Sequence, residues 1–178
     1  MATFEFRNLE KIVPDAYHGT LKQNVESILK DGFHPGRSFE LHLGSGVYFY
    51  ESSRAWAEHW AQEKFNAKGD GLEIAVLMAE IRLGRCIDLC DRDNQKVLDD
   101  FEQEVKNRIR NGGMAGTFSN ITAAYIYNLA SQRSNADTIR KPYGPPEDTS
   151  DRWAGIRWTM RLVICVRKLE NISNVRVV

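Results

Sequence analysis

The chain has 178 residues, of which 27% are charged and 42% are hydrophobic, and its formal net charge is zero. This length and composition predict a globular domain with a sizeable core and argue against disorder. The neutral charge gives no overall electrostatic argument for binding to nucleic acid or to a membrane surface. The sequence has neither a signal-peptide core nor an apolar run long enough to cross a membrane, so we expect a cytoplasmic protein.

The cysteines give no sign of a metal site. Cys86, Cys90 and Cys165 are an odd number and stand at no spacing typical of zinc ligands. In a cytosolic chain, reduced thiols are the simplest interpretation. We therefore predict that the protein uses no metal.

The first predicted elements are a short extended piece and a helix. Residues 1–13 are compatible with an edge strand, and a brief extended piece follows Pro14 and ends at Gly19. Thr20 is predicted to cap the helix, because apolar residues follow it at helical spacing until about residue 30.

The stretch from Gly44 to Ala61 has the pattern of a glycine turn, a short strand and a helix. The strand is predicted over residues 47–50, where aromatic and β-branched side chains follow one another. Two serines after it are residue types that begin helices, and Trp56 and Trp60 recur at near-helical spacing. We expect the two tryptophans to pack this helix against the core.

The remainder of the chain is predicted to alternate strands and helices around one long loop. A bend at Gly84 divides the apolar stretch after residue 72 into two strands. The longest loop is predicted over residues 131–152, which are polar and contain several prolines. The predicted elements are strands over 72–81, 86–89 and 162–166, helices over 94–110 and 120–130, and a final piece over 172–178.

Two short motifs in this order carry a family likeness. Tyr17-His18-Gly19-Thr20, followed by a helix, resembles the first motif of the poly(ADP-ribose) polymerases and the diphtheria-toxin-like ADP-ribosyltransferases. The run Gly44-Ser45-Gly46-Val47-Tyr48-Phe49 resembles their second motif, a glycine turn into a strand that bears a tyrosine. The family has an aromatic residue eleven positions after that tyrosine, where this chain has His59. The strand and glycine turn over residues 76–85 also follow in the family's order.

The resemblance implies both a fold and an activity. The expected fold is α+β, with split mixed β-sheets and flanking helices, in a single ADP-ribosyltransferase-like catalytic domain over residues 1–178. NAD is the implied co-substrate, and its bond between nicotinamide and ribose is cleaved through a transition state of oxocarbenium character. The expected function is mono-ADP-ribosyl transfer to a protein or nucleic-acid acceptor, with release of nicotinamide.

The resemblance also implies roles for residues of the first motif and of the loop after it. His18 would bond a ribose hydroxyl of the adenosine half and act in catalysis. The backbone of Gly19 would pair with the nicotinamide amide, and Thr20 would add a hydroxyl donor. Arg37 could reach the adenosine or the pyrophosphate, although a solvated loop charge is an equal interpretation.

In the second motif, the implied roles concern the nicotinamide end of NAD. Tyr48 would stack on the nicotinamide ring or fix its ribose, as a second catalytic residue. His59 would supply the opposite face of that site. Gly46 would allow the ligand a close approach to the backbone, because glycine carries no side chain.

The last strand departs from the family pattern. The family commonly places a glutamate at its head, but residues 157–163 contain no acid and Val163 aligns near the expected position. In one interpretation the acid comes from the preceding loop, with Glu147 as the catalytic residue and Asp148 and Asp151 as neighbours. In the other, no acid serves, and the chain is a weak transferase or inactive.

Two other functions therefore stay open at this point. One is an NAD-using enzyme similar to the RNA 2′-phosphotransferases, which would need several arginines around the site. The other is an inactive module that binds NAD or ADP-ribose. Elongation to a polymer is not expected, because it would need an acid to activate a sugar hydroxyl.

Overall fold

The computed structural model describes residues 6–35, 42–66, 71–112, 121–143 and 161–178. The helices of these ranges include none long and apolar enough to cross a membrane. The strands are β1 (Asn8–Leu21), β2 (Val47–Glu51), β3 (Ile74–Asp88), β4 (Thr138–Tyr143), β5 (Arg161–Val166) and β6 (Ile172–Val177). The helices are α1 (Val25–Asp31), α2 (Arg54–Asn66), α3 (Arg92–Asn111) and α4 (Ala123–Ser134).

The described strands form one six-stranded sheet in the order β1-β2-β5-β4-β3-β6. The long strand β3 also pairs with β1, so that five strands close into a ring and β6 lies beside it. Strands β3 and β4 are parallel, whereas the other pairs are antiparallel. The α+β class and the mixed sheet are as predicted, but the sheet is continuous instead of divided into two.

The sheet buries a separate apolar cluster on each face. One cluster lies under α3 and α4, and the other joins the opposite face to α1 and β6. Strand β5 contributes to both, because successive side chains of a strand point to opposite faces. Val163 and Cys165 belong to the first cluster, whereas Ile164 and Val166 belong to the second.

The expected helix cap at Thr20 is wrong. Strand β1 pairs with β3 without a break from Ala16 to Leu21, and Thr20 is a buried residue within it. A single 3₁₀ turn follows, and α1 begins only at Val25. Pairing with a 15-residue apolar strand therefore outweighs the local preference for a helix.

Two further corrections concern β3 and β4. Strand β3 runs through Gly84 without ending, because this glycine takes a φ of +60° and lets the Asp137 carboxylate approach closely. The predicted loop over 131–152 contains β4 (Thr138–Tyr143), which pairs with both β3 and β5. The polar residues of this segment favoured a loop in the sequence analysis, although Arg140 in the middle of β4 is buried.

Arg140 joins three strands in a buried ionic network. Its Nε and Nη2 donate to the two carboxylate oxygens of Glu51 at 2.6 and 3.1 Å. Its Nη1 lies 3.2 Å from Asp88 Oδ2 and 3.1 Å from Cys90 Sγ. Lys11 of β1 approaches the same Glu51 at 3.4 Å. The charge of Arg140 is therefore used inside the fold and is not available to a ligand.

Helix α2 packs through alanines instead of tryptophans. Ala57 and Ala61 are 0% exposed, whereas Trp56 and Trp60 are only partly buried. Ser53 begins the helix as predicted, with its hydroxyl accepting a bond from the Trp56 amide. The alanine face allows α2 to lie very close to the sheet, and this determines the shape of the candidate site.

Candidate functional site

Strands β1 and β2 separate after a short ladder, and we call the space between them the cleft. In the described ladder the two strands pair at Ala16 and Tyr17 and no further. One residue later, the His18 ring donates from Nδ1 to the carbonyl oxygen of Tyr48 at 2.8 Å. This side-chain bond takes the place of a backbone bond, and it brings the two predicted motifs together at the opening.

The main chain of Gly19 points into this opening. Lys22 N donates to Glu73 O on β3, and Ser52 N donates to Asp15 O on β1, both at 2.8 Å. In an antiparallel strand, the main-chain N–H and C=O groups of successive residues point alternately toward the two neighbouring strands. In this part of β1, those of even-numbered residues point toward β3 and those of odd-numbered residues point toward β2. The N–H and C=O of Gly19 therefore face the side from which β2 has departed. Such a donor–acceptor pair matches a carboxamide.

Helix α2 forms the roof over Gly19. A β-carbon on Gly19 would lie 2.1 Å from the carbonyl oxygen of Ala57 and 2.7 Å from the β-carbon of Ala61. Both distances are far below van der Waals contact. Glycine is thus required here for helix packing.

His18 is a neutral imidazole with one ring nitrogen committed. The ring lies 5.1 Å from the Phe33 ring and 5.6 Å from the Phe49 ring. Burial lowers the pKa of His18 from 6.5 to about 4, although the bond to the Tyr48 carbonyl acts in the opposite direction. Since Nδ1 carries the proton, Nε2 is left as an acceptor, which suits a hydroxyl donor such as a ribose.

The titration of His18 should appear in the stability of the fold. Its folded pKa of about 4 lies below the unfolded value of 6.5, so the unfolded chain binds more protons between these pH values. Stability is then fully present above pH 6.5 and falls as the pH decreases toward 4. We expect His18→Gln to reduce the slope of unfolding free energy against pH in that window by up to ~1.4 kcal/mol per pH unit. Urea titrations of both proteins across the window measure it, and equal slopes would contradict the assignment.

Tyr48 fastens the glycine turn that precedes its own strand. Its hydroxyl accepts from Leu43 N at 3.0 Å and donates to Gly44 O at 2.7 Å. Burial is the main cause that raises the pKa of Tyr48 well above its usual value, so the phenol stays protonated. Both hydrogen-bonding directions of this hydroxyl therefore serve the turn, and a ligand would contact the ring.

The glycines of the turn are required by packing. Gly44 has a φ of +82°, and a β-carbon there would lie 2.3 Å from Asn128 Oδ1. The same Asn128 oxygen accepts from Ser45 N at 2.9 Å and holds the turn against α4. At Gly46, a β-carbon would lie 2.4 Å from Cys165 Sγ on β5. Strand β5 thus approaches Gly46 closely.

Removal of the Tyr48 hydroxyl should destabilise the fold by itself. Tyr48→Phe leaves the buried Leu43 amide and Gly44 carbonyl without their partner, which typically costs ~1–3 kcal/mol. Chemical denaturation measures this loss. Tyr125→Phe, at a side chain 40% exposed on α4, is the matched control and should change stability by less than ~0.5 kcal/mol. Equal stability of the two variants would show that the hydroxyl does not hold the turn.

The exposed side of α2, away from the alanines that face Gly19, carries His59. His59 is 52% exposed, lies 3.4 Å from Glu63 and makes an edge contact with Trp56 at 5.6 Å. Trp56 in turn lies 4.7 Å from the guanidinium carbon of Arg161, which reaches it from the head of β5. His59 is therefore placed on the helix that roofs Gly19, with Trp56 between it and the sheet residue Arg161.

The head of β5 carries an arginine that sequence reasoning missed. Val163, aligned with the family's glutamate, is 6% exposed and packed in the cluster under α3 and α4. Arg161 lies two residues earlier on the same face and pairs with Tyr143 of β4. The available signal in the sequence was a charged residue immediately before the predicted strand over residues 162–166.

The remaining predicted site residues are distributed as follows. Thr20 is 4% exposed, and its hydroxyl lies 3.4 Å from Asn24 Nδ2. Arg37 and Glu147 lie outside the described residues. The described ranges contain no group of three or more metal-binding side chains.

The main-chain groups of Gly19, the neutral His18 ring and helix α2 thus border the cleft. The family model of the poly(ADP-ribose) polymerase catalytic domain matches residues 5–122. The match covers more than half of the chain, and the chain belongs to this family, which uses NAD as its substrate. A search of curated proteins found no match. The matched range contains both motifs and ends before β4 and β5.

Proposed function

We propose that the protein is an NAD-dependent mono-ADP-ribosyltransferase. The observation that carries the proposal is the direction of the Gly19 main chain, which faces the opening between β1 and β2. Family membership independently supports NAD as the ligand. In this proposal the nicotinamide carboxamide bonds the N–H and C=O of Gly19 beneath α2.

His18 and Tyr48 complete the proposed NAD site. His18 Nε2 accepts a bond from a ribose hydroxyl, while its Nδ1 is fixed on the Tyr48 carbonyl. The ring of Tyr48 and the exposed side of α2 at His59 border the nicotinamide end. Binding of the carboxamide by Gly19 and of a ribose hydroxyl by His18 orients NAD for cleavage of the bond between nicotinamide and its ribose, in which nicotinamide departs as a neutral molecule and the ribose develops positive charge.

Transfer to one acceptor, without elongation, is the favoured reaction. Val163 has no polar group to activate a sugar hydroxyl at the usual position. A hydroxyl acceptor would need a base, and Glu147 is our candidate to supply it. Without that base the rate would fall by ~10²–10⁴-fold, and hydrolysis or simple binding of NAD would remain.

Incubation with NAD labelled in its ADP-ribose half tests the proposal. We expect release of nicotinamide and a label on a macromolecule, both reduced by ~10²-fold or more in His18→Ala. Arg108→Ala, at an exposed residue of α3 that is paired with Glu104, is the control and should retain activity. Free labelled ADP-ribose alone would indicate an NAD hydrolase, and NAD binding without turnover would indicate a binding module. Absence of both binding and turnover would refute the proposal.

A further inference from the structure

Arg167, the first residue after β5, is a partly buried cation for which the described residues provide no counter-ion. Its main-chain N–H donates to the carbonyl oxygen of Asp137 at 2.9 Å, but the carboxylate of Asp137 is paired with Lys168. The buried Nη1 of Arg167 has no hydrogen-bond partner within the described ranges. Burial lowers the pKa of Arg167 from its usual value, although the nearby Cys165 and Tyr48 act in the opposite direction. This arginine therefore keeps a desolvated charge without an ion pair.

The stability of the fold does not explain this arginine. A buried charge is normally paired, and apolar residues of similar volume often replace buried charged groups without loss of stability. The end of β5 is also held by the backbone bond to Asp137, which any residue except proline could form. What distinguishes an arginine at this position is the contact that its guanidinium makes with α4.

The guanidinium contacts the side-chain carboxamide of Asn128 on α4. Arg167 Nη2 donates to Asn128 Oδ1 at 2.7 Å, and Ser45 N donates to the same oxygen at 2.9 Å. A carboxamide has an acceptor oxygen on one side and an NH2 group with two donor hydrogens on the other. Because two donors converge on Oδ1, a rotated carboxamide would place its NH2 group against both of them. Arg167 thus fixes the orientation of the group that holds the glycine turn.

A series of contacts leads from this carboxamide to the residues of the proposed NAD site. Asn128 Oδ1 lies so close to Gly44 that a β-carbon there would be 2.3 Å away. Gly44 O accepts from the Tyr48 hydroxyl at 2.7 Å. The main-chain oxygen of Tyr48 in turn accepts from His18 Nδ1 at 2.8 Å. A movement of the turn would therefore displace the Tyr48 ring and the support of the His18 ring together.

We propose that Arg167 is a positioning residue of the NAD site, which acts through Asn128 on the glycine turn and on Tyr48. The inference rests on the proposed function, and Arg167 itself need not touch NAD. Without the guanidinium, Ser45 N is the one described donor left to orient the carboxamide. When the carboxamide rotates, its NH2 group faces the Ser45 N–H, and the turn has to move away. A displacement of about 1 Å is enough to lower catalysis by ~10²-fold.

Arg167→Met tests this role, because it removes the guanidinium and keeps the main-chain bond to Asp137. We expect kcat for nicotinamide release to fall by ~10- to 100-fold, with a smaller change in the KM for NAD. The midpoint of urea denaturation should stay close to that of the wild type. Hydrogen exchange of the Ser45 amide should become faster, since its acceptor is no longer fixed. Arg167→Lys, which keeps a cationic N–H donor, should recover most of the turnover, and Arg108→Met should behave like the wild type.

A double-mutant cycle shows whether Arg167 acts through Asn128. Asn128→Ala should itself lower turnover, and Arg167→Met should cause no further loss in that background. Full turnover in Arg167→Met, unchanged exchange of the Ser45 amide, or an equal additional loss in the Asn128→Ala background would overturn the inference and leave the proposed function intact. A lowered urea midpoint in Arg167→Met, with no recovery of turnover in Arg167→Lys, would show a merely structural role and overturn it as well. Absence of nicotinamide release by the wild type would overturn the proposed function before any variant is compared, and the inference with it.

Discussion

Gly19→Ala is expected to lower NAD turnover by at least ~10²-fold, the typical cost of displacing a reacting group by about an ångström. The new methyl group would lie 2.1 Å from the Ala57 carbonyl oxygen, which is backbone and cannot move alone. Helix α2 would have to shift away from β1, and the roof of the cleft would shift with it. Overpacking of this kind also destabilises a fold by ~1–3 kcal/mol. Nicotinamide release and urea denaturation measure the two effects.

Gly32→Ala is the matched control for this change. A β-carbon at Gly32 meets nothing within 4 Å, but its φ of +85° is unfavourable for alanine. Because the ψ of −179° places Gly32 in a region that essentially only glycine adopts, the control should lose ~1–3 kcal/mol of stability and keep its activity. If both variants lose activity equally, stability and not cleft geometry is responsible. If Gly19→Ala is fully active, the ligand does not bind beneath α2.

Arg140→Met is expected to lower the free energy of unfolding by ~3–5 kcal/mol, a large part of the stability of an ordinary domain. The substitution leaves the Glu51 and Asp88 carboxylates in partly buried positions without their shared cation. Methionine keeps much of the side-chain volume, so the loss would report charge and hydrogen bonding more than a cavity. Denaturation curves analysed by linear extrapolation give the value.

Arg108→Met provides the comparison for an exposed pair. Arg108 is bonded to Glu104 one helical turn away on α3, and both side chains are well exposed. Such pairs contribute ~0.3–0.5 kcal/mol. If Arg140→Met lowers the free energy of unfolding as little as Arg108→Met does, the buried network does not stabilise the association of β2, β3 and β4.

The part of the site that sequence reasoning could predict is local. The order of a histidine–glycine pair, a helix, a glycine turn and a tyrosine strand identified the family over a range that the family model also covers. The strand over residues 47–50 and the serine that begins α2 follow from short-range preferences. His18 and Tyr48, one from each motif, are joined by a hydrogen bond from the His18 ring to the Tyr48 carbonyl oxygen.

The wrong predictions concern segments whose structure depends on pairing with residues that are remote in the sequence. Thr20 looks like a helix cap, but β3 extends β1 through it. Strand β4 looks like a loop because its central arginine is polar, and only Glu51 and Asp88, remote in sequence, make its burial favourable. Neither partner can be recognised from the residues around Arg140.

The glycines of the two motifs were predicted correctly as special positions, but their structural role was only partly foreseen. Gly19 and Gly46 were expected to admit a ligand, yet each also admits another part of the chain, α2 and β5 respectively. A glycine in a motif therefore does not by itself reveal which neighbour it accommodates. The tryptophans of α2 were expected in the core, but the small alanines bring the helix closer to the sheet.

The most direct test of the account concerns the main chain of Gly19. In an NAD titration of the ¹⁵N-labelled protein, followed by amide NMR, the Gly19 signal should move among the most strongly of all amides as the carboxamide bonds to it. The amide of Arg85, nine residues along β3 from Val76, the partner of Gly19, should remain in place. Saturable binding of NAD that leaves the Gly19 amide unmoved, or no binding at all, would contradict the proposed site.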